Sequence, residues 1–206
     1  MRIIATKLGK KFHNEWVFKN LNLDLSTNQT YAFTGPNGSG KSTLLLILSG
    51  LLPFSTGSVH YCNAENQTIS SDSIFRYLSL AAPYTELIED FTLEELLKFH
   101  FQFKEITPGY NIPKIISSLS LEKAQHKYVQ QFSSGMKQRL KLGLAFYSQS
   151  QLLLLDEPCS NLDAKGVAWY KEEVIKAGKD KLLIICSNQP HEYDFCRNII
   201  NLEDYK

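Results

Sequence analysis

Nine residues, Gly35-Pro36-Asn37-Gly38-Ser39-Gly40-Lys41-Ser42-Thr43, spell a complete G-x-x-x-x-G-K-[ST] loop, and no other stretch constrains the fold as tightly. Such a loop works where a strand enters it and a helix leaves it. The flanks comply: Thr30–Thr34 reads as a buried strand, and residues 42–48 read as an apolar helix whose N-terminal dipole favours bound phosphate. The glycines let backbone N–H groups curl around a β-phosphate, Lys41 reaches the β- and γ-phosphates, and the Ser42 hydroxyl is a magnesium ligand. The bland alternative is a glycine-rich turn that binds nothing. Four specified residues at the motif's spacing, set between a strand and a helix, weigh against it.

A second acidic feature follows downstream. Leu152-Leu153-Leu154-Leu155 suits a central strand buried on both faces, and Asp156-Glu157 at its end delivers two carboxylates to the same edge as the loop. Asp156 is expected to hold magnesium through its water shell, and Glu157 to polarise an attacking water. A buried strand that merely ends in acids before Pro158 is the alternative. The upstream loop favours the chemical reading, because phosphoryl transfer needs both a magnesium ion and an oriented nucleophile.

The rest of the chain is read as strands over residues 2–8, 17–25, 30–34 and 57–62, then a helical insert over residues 84–135. Within the insert, Thr92 and Glu95 form a capping box that opens a helix through about Phe103, and Pro113 opens another through Leu119. From Met136 the pattern alternates: helix 136–147, strand 152–155, helix 164–176, strand 182–186, with a last strand in 198–206. This predicts an α/β fold of the P-loop NTPase type. Its core sheet is mostly parallel, an antiparallel β part lies at the N-terminus, and the 206 residues form one domain. A formal net charge of +1 with dispersed lysines argues against a nucleic-acid partner. The four scattered cysteines lack metal or redox spacing and suit a reducing cytosol, and no apolar run is long enough to span a bilayer.

With these motifs in place, the chain resembles the ATP-binding subunit of an ABC transporter over essentially its whole length. Phe132-Ser133-Ser134-Gly135-Met136 resembles that family's L-S-G-G-Q signature, an anion site made of backbone N–H groups and a serine hydroxyl at a helix N-terminus. By resemblance Ser133 supplies the hydroxyl and Gly135 an N–H, with Ser134 between them; Ser134 and Met136 depart from the family's Gly and Gln. An ordinary helix N-cap is the competing reading. Ser160-Asn161-Leu162-Asp163 resembles the family's S-A-L-D segment at the dimer interface, and Asp163 also suits a helix N-cap. Phe12 matches the aromatic residue that stacks on adenine, with Trp16 as competitor. Where the family has a glutamine that senses magnesium and the γ-phosphate, this chain has Ala82 or Pro83. Where it has a histidine on the γ-phosphate, this chain has Asn188, with His191 close by.

The resemblance implies ATP and Mg2+ as ligands, hydrolysis, and a homodimer or heterodimer with another such cassette, each ATP lying between one chain's phosphate loop and the other's signature. It also implies a membrane-spanning permease docked near Tyr84, Leu87, Phe91 and the helix at Thr92, holding the subunit on the cytoplasmic face of the membrane. Two other readings stay open: a cassette that closes on ATP but turns it over slowly or not at all, and an ABC-type ATPase without a transport role.

Overall fold

The computed structural model describes residues 1–63 and 65–206, which form two compact units. The first unit comprises residues 1–78, 150–157 and 178–206; the second, residues 79–149 and 158–177.

The first unit holds an antiparallel sheet and a parallel one. Strands β1 (Arg2–Phe12), β2 (Glu15–Ser26), β4 (Thr56–Cys62) and β5 (Thr68–Ile69) form the antiparallel sheet in the order β2-β1-β4-β5. Alternation places Leu21, Leu23 and Leu25 of β2 in the core, and Phe18 joins them because the strand is irregular at Asn20, which takes φ 55. Both hairpin strands are longer than expected from residues 2–8 and 17–25. Their pairing runs on to Phe12 opposite Glu15, because His13 turns the chain tightly at φ 53.

In the parallel sheet, β3 (Thr30–Thr34) lies between β8 (Leu182–Cys186) and β9 (Asn198–Asn201), and β7 (Leu152–Asp156) lies beyond β8. The first unit's strands of this sheet thus run in the order β7-β8-β3-β9, and β6 (Leu78–Ala81) begins where the chain leaves that unit. Every residue of β7 and β8 is buried, as continuous apolar runs require of strands covered on both faces. Shortening any one of Leu152 to Leu155, each 0% exposed, to Ala would cost about 2–5 kcal/mol. Helix α1 (Lys41–Leu48) leaves β3 through the glycine-rich loop and packs on β7 and β8, which sets the loop beside the C-terminal ends of these strands.

The second unit is helical. Helix α2 (Leu93–His100) opens on the expected capping box: Thr92 Oγ1 accepts from the Glu95 N–H, and the Glu95 carboxylate accepts from the Thr92 N–H. It ends at His100 instead of Phe103, where two short-range bonds, Gln102 N–H to Phe99 O and Phe103 N–H to His100 O, tighten the chain into a turn. Helix α3 (Ile112–Ser118) is capped by Asn111. Helix α4 (Ser134–Phe146) packs on α5 (Ala164–Ala177), with Tyr147 donating to Glu173 at 2.8 Å and Trp169 to the Ser118 carbonyl at 2.8 Å. α4 starts two residues before the expected Met136, because the Ser133 hydroxyl accepts from the Met136 N–H and closes the first turn. Among the described residues no helix is long and apolar enough to cross a membrane.

Candidate functional site

Backbone conformation builds the phosphate loop before any side chain acts. Gly40 has φ +101, and a Cβ placed there would stand 2.4 Å from Val17 Cγ1, so only glycine fits between the loop and β2. The Lys41 ammonium folds back over the loop and donates to the carbonyls of Gly35 (2.8 Å) and Pro36 (3.0 Å). Ser39 is fully buried under the loop, Thr43 is half-buried, and Pro36, Asn37, Gly38 and Ser42 are exposed around it.

Asp156 ends β7 beside this loop. It is 1% exposed, and burial first, with Glu157 and Glu192 nearby, pushes its carboxyl up to about 6, against the opposing pull of the Ser42 hydroxyl and the Lys41 charge. Its Oδ1 makes no hydrogen bond. A buried oxygen without a donor, next to a serine hydroxyl bonded to the same carboxylate, is the hard-oxygen environment that a magnesium ion satisfies. Glu157 takes φ 43, a left-handed conformation unusual outside glycine, while its N–H donates to the Cys186 carbonyl at 2.9 Å. The half-buried side chain therefore leaves the sheet abruptly at the strand end, where such strain is commonly functional.

Asn188, the residue at the family's histidine position, is exposed, and its amide donates to Asn37 Oδ1 in the phosphate loop at 3.2 Å. His191 lies in the short helix α6 (Pro190–Tyr193) and is exposed. Cys186 had not been singled out in the sequence; it is fully buried, and its thiol donates to the Lys41 carbonyl at 3.4 Å. Burial and the Asp156 carboxylate raise this thiol's pKa well above the ordinary range, so it stays protonated and able to donate.

Strand register separates the two aromatic candidates. Phe12 pairs with Glu15 and Lys11 with Trp16, so Phe12, Glu15 and Val17 share one face of the hairpin and Trp16 lies on the other. Gly40 of the loop lies against both faces of the strand: a Cβ there would stand 2.4 Å from Val17 Cγ1, on the Phe12 side, and 3.2 Å from Phe18 Cδ1, on the Trp16 side. Trp16 packs beside Gly9 instead, with the Lys11 ammonium 5.7 Å from its ring centre. Both rings border a cavity of about 630 Å³ at the hairpin tip that Gly38 also lines.

In the second unit the residues expected of a signature come together. Ser133, Ser134, Gly135 and Met136 line a cavity of about 410 Å³ with Asn161, Leu162 and Asp163. A Cβ on Gly135 would lie 3.0 Å from the Asn161 carbonyl, so the two segments meet at the helix start. Asp163 accepts from the Gly166 N–H at 2.7 Å, the N-cap bond anticipated for it. Arg139, one turn after Gly135, also borders this cavity, with its guanidinium 5.5 Å from the Trp169 ring centre. At the glutamine position, Ala82 is buried and Pro83 offers a carbonyl, which accepts from the Lys141 ammonium at 2.9 Å. Tyr84, Ile88, Phe99 and Phe103 are exposed, and Phe91 meets Phe99 edge to face at 5.5 Å.

A sequence model of ABC transporters matches residues 18–160. The uncharacterised ABC transporter ATP-binding protein YybJ of Bacillus subtilis is 31% identical over 92% of this chain and 86% of its own length. The lantibiotic transport ATP-binding protein SrtF of Streptococcus pyogenes is 28% identical over 88% and 77% respectively. ATP-binding cassette sub-family A member 2 of rat and human is also similar, at 30% and 29% identity, and this chain spans 8% of the length of each. Among solved structures, a dimeric bacterial ABC transporter cassette superposes with TM-score 0.81 at 22% identity, covering 97% of this chain and 93% of that one.

Proposed function

This chain belongs to the ABC transporter family as an ATP-binding cassette, and we propose that it binds and hydrolyses ATP as one half of a cassette dimer that drives a separate membrane-spanning permease. The observation that carries the reading is the buried Asp156 carboxylate with an unbonded oxygen, set beside Ser42, Lys41 and the half-buried Glu157.

The roles follow from chemistry at named atoms. The N–H groups of residues 37 to 43 cradle the phosphates, and the Lys41 ammonium exchanges its two carbonyl partners for phosphate oxygens. Ser42 and Asp156 would hold magnesium, which neutralises charge on the transferred group when bound. Glu157 orients a water and receives its proton as the γ-phosphorus takes up the water oxygen and its bond to the ADP oxygen breaks. Phe12 offers its ring to the base. Ser133, Ser134 and Gly135 present a helix N-terminus to the ATP held by the opposite cassette, either a second copy or a related chain, so ATP favours the closed dimer and hydrolysis releases it. The permease docks at the exposed aromatic surface around Phe91 and holds the subunit on the cytoplasmic face.

The test is sedimentation of the Glu157→Gln variant with ATP and magnesium. Accumulation of dimer that dissociates when ADP replaces ATP supports the reading; a monomer at every nucleotide condition contradicts pairing with a second copy and leaves only a related chain as the opposite cassette. A second reading, a slow or non-hydrolytic regulatory cassette, draws on Ala82 and Pro83, neither of which offers a side-chain ligand for magnesium. It requires the unaltered chain to behave like Glu157→Gln.

A further inference from the structure

The three residues that end and follow β8 touch the phosphate-loop segment at three separate points. The Ser187 N–H donates to the Phe33 carbonyl at 3.1 Å, before the loop. The Asn188 amide donates to Asn37 Oδ1 at 3.2 Å, at the loop's crown, and the Cys186 thiol to the Lys41 carbonyl at 3.4 Å, where the loop becomes helix. The same segment fixes Glu157 through the Cys186 carbonyl. Cys186 and Ser187 are 0% exposed, so their contacts belong to the core; the Asn37–Asn188 pair is exposed. An asparagine amide stays neutral at every physiological pH, so Asn188 has no cationic form to offer a phosphoryl group, and its placed bond goes to the loop.

We propose that Asn188 is a positioning residue that acts on nucleotide binding through Asn37, clipping the crown of the phosphate loop to the end of β8. The inference rests on the nucleotide-binding reading above and adds to it which bond shapes the loop. Asn37, with its side chain outside the glycine and lysine pattern of the motif, gains a specific task. Asn188, two residues past β8, works on the loop's shape, not on the transferred group.

The test is a double-mutant cycle of Asn37→Ala, Asn188→Ala and the pair, reading the Kd of a fluorescent ATP analogue and steady-state kcat and KM. Both side chains are exposed, so thermal unfolding of each variant should match that of the unaltered chain. One hydrogen bond predicts that each single variant weakens analogue binding about two- to tenfold, and that the pair weakens it no more than the worse single variant. KM should rise by the same factor, with kcat falling by less. Losses that multiply in the pair, or a fall in kcat alone in Asn188→Ala, would overturn the proposal in favour of direct contact with the phosphoryl group. Failure of the unaltered chain to bind the analogue would instead overturn the nucleotide-binding reading itself.

Discussion

Asp156 ties the chemistry to pH. Burial lifts its carboxyl from the ordinary 3.8 to about 6, so the folded chain takes up this proton earlier than the unfolded one as pH falls. For this group alone, stability is greatest below the ordinary value and declines as pH rises through about 6, the opposite of a salt-bridged carboxylate. Metal binding has the other sign, since a ligand must be deprotonated. Magnesium titrations of analogue binding should therefore show affinity falling as pH drops below about 6, and Asp156→Ala should abolish that dependence along with most of the magnesium effect. A second residue-scale prediction concerns Gly40, whose φ of +101 and 2.4 Å approach to Val17 leave no room for a side chain. Gly40→Ala should destabilise the chain by at least about 1–2 kcal/mol in denaturant unfolding, from the left-handed backbone alone. At this scale much was legible in advance. The loop and the acidic strand end are each a contiguous run, so the sequence displays each of them. The Asn37–Asn188 bond joins residues 151 apart and involves a side chain that no motif specifies, so nothing local announced it.

Elements were legible where a single period or cap decides them. Four leucines before Asp156 and the Thr92–Glu95 box gave a strand and a helix start because each signal is local. Element ends were harder, since they depend on tertiary partners: β1 runs to Phe12 because β2 continues to pair with it, and α2 stops at His100 where the chain turns. That Phe12 and Trp16 lie on opposite faces also needed register, because one residue's shift exchanges the two faces of a hairpin. At α4 the cap and the proposed anion site are the same residue. Ser133→Ala should cost about 1 kcal/mol of stability through the lost bond to the Met136 N–H, while Ser133→Thr should retain most of it. Chemical denaturation of both variants checks the cap. ATP turnover separates the roles: on the proposed reading Ser133→Ala loses more activity at low protein concentration, where assembly limits the rate.

For the whole molecule, the two units divide the proposed labour. The first carries the phosphate loop, Asp156, Glu157 and Asn188; the second carries the Ser133–Gly135 helix start and the exposed aromatic surface. Composition and charge bounded this level only loosely: a net charge of +1 argued against nucleic acid without indicating a partner. The proposed composite site predicts behaviour that no single chain has alone, since on that reading each ATP needs a phosphate loop from one chain and a helix N-terminus from another. The most direct measurement is magnesium-dependent ATP hydrolysis by the purified chain over a wide range of protein concentration, beside Glu157→Gln. The account predicts that turnover per chain rises with concentration toward a plateau and vanishes in Glu157→Gln. Hydrolysis per chain that is independent of concentration, or that survives in Glu157→Gln, would contradict it.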